Sequence, residues 1–93
     1  MTRTEERLDR GTDTGLGDPW HVIVLNDDHN TFDGVAAALA AVLPECSFSL
    51  GLAYANRVHT MGSAVVWSGH REVAEHYWSG LSRRGLTMAP LDQ

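Results

Sequence analysis

Lysine is absent from this 93-residue chain: the seven basic residues are all arginine, set against twelve acids, for a net charge of −5. That balance lacks the basic stripe that phosphate backbones demand, so nucleic acid is excluded as the expected partner. Cysteine is nearly absent too. Cys46 alone cannot close an intramolecular disulfide or build a cysteine-rich zinc site, and a single thiol fits a reducing compartment, the cytoplasm. No stretch approaches the roughly 18 apolar residues of a membrane span, so no membrane role is expected. The first eighteen residues, Met1 to Asp18, hold almost no apolar side chains. They lack the apolar core of a signal peptide, and their five acids argue against an organellar transit peptide. Such a composition cannot offset chain entropy, so a flexible tail is expected over 1–18 and one domain over 19–93. A domain of this size buries only about 60 to 65% of its unfolded surface, enough for one core and one shallow site.

Within that domain the run Trp20 to Leu25 is β-branched and aromatic, and it stops at the turn-forming cluster Asn26, Asp27, Asp28, His29, Asn30. This reads as a strand entering a polar loop. Thr31 is placed to cap a helix whose apolar residues, Phe32, Val35, Ala36, Leu39, Val42 and Leu43, fall on one face before Pro44 ends it. Ser47 offers a second cap. The helix behind it is lined by Phe48, Leu52, Ala55, Val58 and His59, with Gly51 as a weakening residue. After Gly62, Ala64 to Trp67 reads as a second strand. Val73, Ala74, Tyr77, Trp78 and Leu81 then mark a third helix, with Arg83 and Arg84 suited to its negative end and Gly85 as its stop. Leu86 to Ala89 is expected to add a final strand before Pro90. The order β-α-α-β-α-β predicts an α+β domain in which a small three-stranded antiparallel sheet packs on three helices.

The densest polar cluster is Asn26 to Asn30, and its ordinary use is a turn, because Asn and Asp bond their own backbone. His59 gives it a second reading. A histidine on the apolar side of a helix is commonly a satisfied core residue. If the loop packs over that helix, however, an imidazole nitrogen, the Asn26 amide oxygen and a carboxylate converge, and three acceptors around a small cavity suit a protonated amine. The five histidines show no metal-binding spacing on one element, no nucleophile elbow or phosphate loop is present, and no cofactor is implied. Phe32, Tyr54, Trp67, Trp78 and Met88 read as core by default, with a few available to line a pocket.

Four segments in order, Val22 to Phe32 (VIVLNDDHNTF), Val58-His59, Ala64 to Trp67 with Arg71 to Glu75, and Gly85 to Leu91 (GLTMAPL), resemble the ClpS family, in its cyanobacterial branch. These are adaptors that deliver N-degron substrates to Clp unfoldases, and they share their fold with the C-terminal domain of the ribosomal stalk protein. The resemblance implies a non-enzymatic protein that grips a substrate's free α-amino group with Asn26, Asp27, Asp28 and His59, Asp28 being favoured over Asp27. It also implies that a bulky apolar first side chain (Leu, Phe, Tyr or Trp) enters a pocket of Phe32, Ala55, Val58 and Met88. Many relatives carry methionine where Phe32 and Ala55 stand, which implies an altered pocket shape here. The implied partners are a ClpC- or ClpA-like AAA+ unfoldase and the N-terminal residues of substrates, with the chain itself a monomer.

Two rivals accompany this reading. One is a module of the same fold that modulates the unfoldase without binding N-degrons. The other is a small metal-dependent hydrolase built on His59 and Asp28.

Overall fold

The computed structural model describes residues 18–91, so nearly all of the segment read as a tail, and the last two residues, lie outside it. Strand β1 (Trp20–Leu25) leads to helices α1 (Phe32–Val42) and α2 (Phe48–Met61), then strand β2 (Ser63–Gly69) and helix α3 (Arg71–Arg83). Both expected caps are made: the Thr31 side chain accepts from the Gly34 N–H and the Ser47 side chain from the Leu50 N–H, each satisfying an orphan donor.

The strands pair antiparallel, with a register irregularity between Val22 and Ile23 that leaves Val66 as the extra residue of β2. Val22 and Val24 of β1 and Ala64 and Val66 of β2 face inward, meeting Leu39 of α1, Ala55 and Val58 of α2 and Ala74 and Leu81 of α3 in one core. All three helices therefore cover a single face of the sheet.

The expected third strand does not form. The Leu25 N–H donates to the Thr87 carbonyl at 2.8 Å and the Ala89 N–H to the Ile23 carbonyl at 3.0 Å, which makes one isolated bridge, Val24 to Met88, on the far edge of β1. Pro90 follows immediately and has no N–H to extend the ladder. The sheet is two-stranded. What positions this last segment comes from either side. A left-handed Gly85, φ 93°, closes α3 with bonds from its own N–H to Ser82 and from Leu86 to Leu81, the paired pattern of a Schellman motif. Trp78 Nε1 then donates to the Ala89 carbonyl at 2.7 Å.

Gly51 carries the second correction. A Cβ there would stand 2.7 Å from the Ala36 carbonyl oxygen and 2.8 Å from the Ala36 Cα, so the residue marks where α1 and α2 touch backbone to backbone. Alanine is the better helix former by about 1 kcal/mol, yet the obstructing atoms are main chain and cannot swing aside. Gly51→Ala is therefore expected to destabilise by about 1 to 3 kcal/mol, the range for overpacking. Urea denaturation checks it, and a gain in stability would show that propensity outweighs the close approach.

Candidate functional site

One cavity of about 260 Å³ opens between the end of β1, the start of α1, the second half of α2 and the segment after α3. That lies just below the roughly 300 to 1,000 Å³ of drug-sized sites and suits a single amino-acid residue. Val24, Val35, Ala55, Val58 and Leu86 supply aliphatic wall, while Asn26, Asp27, Asn30, Thr31, His59 and Thr87 supply polar groups. Phe32, 43% exposed, stands at the mouth.

Backbone bonds bring the polar groups together. The Asn26 N–H donates at 3.0 Å to the carbonyl of Gly62, the left-handed C-cap of α2, and so seats the loop after β1 beside the last turn of that helix. His59 lies in this turn. It is exposed rather than buried in the core, lines the cavity, and meets the Phe32 ring edge-on at 5.2 Å between centroids. Neither the Asn26 amide nor the His59 imidazole has a hydrogen-bond partner among the described residues, so both remain available to a ligand.

Asp27 is the opposite case. One carboxylate oxygen accepts from the His29 and Asn30 backbone N–H groups, at 2.9 and 2.8 Å. The other accepts from Asn30 Nδ2 at 2.7 Å and from the Thr87 hydroxyl at 2.6 Å. A carboxylate offers about four lone-pair sites, and all are used by the protein itself. Asn30 Nδ2 also donates to the Gly85 carbonyl at 3.0 Å, which ties the loop to the same distant segment a second time. These donors, the Thr87 hydroxyl foremost, hold the Asp27 carboxyl far below the usual carboxylate range, against the opposing effect of partial burial.

Of the residues expected from the sequence, Asn26, Asp27, Phe32, Ala55, Val58 and His59 line this one cavity. Asp28 is exposed and does not line it. Met88 is likewise elsewhere: it faces a groove against Glu75, Trp78 and Leu91. Leu86 and Thr87 both take the cavity side, and the next residue turns toward α3. Thr87 and Asn30 were not anticipated. An Asp-x-x-Asn turn signal was present for Asn30, but no local pattern marks a threonine sixty positions away. Among the described residues no group of three His, Cys, Asp or Glu side chains is arranged to hold a metal ion, and no helix is long and apolar enough to cross a membrane.

A half-open cavity with an aliphatic wall and unengaged hydrogen-bonding groups at its rim, on a two-layer α+β scaffold, defines a small recognition module. The family model described as ATP-dependent Clp protease adaptor protein ClpS matches residues 17–91, and the chain belongs to the ClpS family. Members of that family are adaptors of the Clp protease and not enzymes in their own right. The chain is similar to the ATP-dependent Clp protease adapter protein ClpS of Thermosynechococcus vestitus, 49% identical over 73 residues, covering 78% of each chain. It is similar to that of a Nostoc species, also at 49% over 73 residues, covering 78% of this chain and 75% of the relative. Among solved structures, that of Agrobacterium tumefaciens ClpS2 bound to L-phenylalaninamide superposes with a TM-score of 0.72 at 27% identity, covering 81% of this chain and 98% of the other.

The depressed Asp27 fixes a pH signature. Because its folded-state pKa is lowered, its contribution to stability is complete above the unfolded carboxylate pKa of about 3.9 and is lost as pH falls below it. Thr87→Val removes the leading donor at similar volume. It should cost about 0.5 to 1.5 kcal/mol at pH 7, the lower range for a hydrogen bond because water reaches this pair. The deficit should narrow between pH 4 and pH 2 in urea titrations. Parallel losses in the two proteins across that range would remove Thr87 as the donor that sets the Asp27 pKa.

Proposed function

We propose that this chain recognises the free α-amino group and the bulky apolar first side chain (Leu, Phe, Tyr or Trp) of N-degron substrates and delivers them to a ClpC- or ClpA-like AAA+ unfoldase in the cytoplasm. The observation that carries this reading is the meeting, in one cavity of about 260 Å³, of an aliphatic wall with the unengaged Asn26 amide and His59 imidazole. The ligand of Agrobacterium tumefaciens ClpS2, L-phenylalaninamide, has that same pairing of an amine with a large apolar side chain.

Asn26 and His59 then act as the acceptors for the ammonium. Asp27 contributes its negative charge across the cavity, while its lone pairs stay with the loop. Asp28 acts from outside the rim, on the substrate chain beyond its first residue. The first side chain packs on Val24, Val35, Ala55, Val58 and Leu86, with the Phe32 ring over the opening; Met88 supports the wall through the Val24 bridge. Burying a Leu or Phe side chain is worth about 1.5 to 3 kcal/mol, and each hydrogen bond to a charged amine a similar amount. Each half alone accounts for about ten- to a hundredfold in affinity, so selectivity requires both.

Fluorescence anisotropy with peptides differing only at residue one tests this. Leu, Phe, Tyr and Trp peptides should bind, while Ala peptides and an acetylated Leu peptide should not, and His59→Ala should weaken binding at least about tenfold. Affinity should also fall in alkali, where the substrate's amine loses its charge. Equal binding of free and acetylated peptides would sink the reading. No binding to any of them would favour a modulator that does not recognise N-degrons.

A further inference from the structure

A second groove, of about 400 Å³, lies where the C-terminal ends of α1 and α3 meet. Its lining from α3 and its C-cap is His76, Gly80, Arg83 and Arg84, spaced i, i+4, i+7 and i+8, which is one helical stripe. Ala41 and Val42 of α1 supply the apolar side. Gly80 keeps the floor low, since a Cβ there would stand 3.2 Å from a Val42 methyl.

Charge singles this groove out on an acidic protein. Two arginines in the last turn also complement the helix dipole, but that role calls for neither the histidine two turns earlier nor the gap between them. Among the described residues Arg71 is committed to Glu75 at 3.0 Å, whereas Arg83 and Arg84 have no acidic partner. No acid lines the groove. Glu45, the acid that follows α1, lines a different cavity with Leu43, Cys46 and Trp67.

We infer that this groove is a docking surface for a short acidic peptide segment of a partner protein. Carboxylates engage Arg83 and Arg84, and an intervening apolar side chain rests on Ala41, Val42 and Gly80. Guanidinium forks are suited to bidentate carboxylate pairing. The stripe is about 12 Å long at 1.5 Å per helical residue, room for about four extended peptide residues. Phe32 at the amine-side cavity lies ten residues up α1 from Val42, about 15 Å away, so the two sites can be filled together. This surface does not depend on the N-degron reading.

The probe is an N-acetylated, fluorescein-labelled peptide alternating glutamate with leucine, which has no free amine, titrated against the full chain by anisotropy. Saturable binding is expected that weakens at least about tenfold in R83E/R84E and falls with salt. R83Q/R84Q should give a smaller loss with an unchanged circular dichroism spectrum, which guards against misfolding of the charge reversal. A free-amine Phe peptide serves as the control, and its affinity for both variants should equal that for the parent. The inference is overturned if the probe binds both variants as it binds the parent, if a glutamine version binds equally well, or if tripolyphosphate binds while the glutamate peptide does not.

Discussion

Four donors converge on the Asp27 carboxylate, and the shape of the recognition site depends on their staying there. Three of them, from His29 and Asn30, fold the loop after β1 on itself. Another, the Thr87 hydroxyl, belongs to a segment that the sheet itself holds by only a single bridge. Without this ion at the junction, one wall of the cavity would rest on two backbone hydrogen bonds, the Asn30–Gly85 contact and the Trp78 anchor. A neutral asparagine could not replace it, since its NH₂ group would face the donors of Asn30 or Thr87. The charge is thus structural, and it also sets the field at the rim of the cavity.

The division of labour in the site follows from which polar groups are engaged. Asp27 and Asn30 are occupied and rigid, while Asn26 and His59 sit beside them unengaged. A preorganised rim of this kind binds without rearranging, which limits the ordering cost that a small domain is poorly equipped to meet. A compact adaptor has no other chemistry to perform. Its work is differential affinity, and the cavity sets an aliphatic wall beside unengaged polar groups.

Much of this was legible in the sequence because it is written locally. The β1 run, the Thr31 and Ser47 caps, the Gly85 stop and the helical faces each depend on residues within a few positions of one another, and all stand where the pattern placed them. The meeting of Asn26 with His59 was also anticipated. What escaped depends on distance or on the other side of a contact. Gly51 reads as a weak point when only its own helix is considered, and becomes the seat of a helix crossing once Ala36 is placed opposite. The last segment has strand-like composition, but pairing needs a run of partners, and Pro90 leaves it one. Met88 and Thr87 are adjacent in the chain yet face different hollows, the α3 groove and the cavity beside His59, and no pattern in the sequence separates them.

That final stretch has a consequence for how the protein comes into being. Residues 85–89 are made after β1, both early helices and β2. Until then the loop after β1 has Asp27 without its Thr87 donor and the cavity without Leu86. The cavity is therefore completed only by the end of the chain, and a copy that stops short of Gly85 lacks one of its walls and the Thr87 donor that braces the loop after β1.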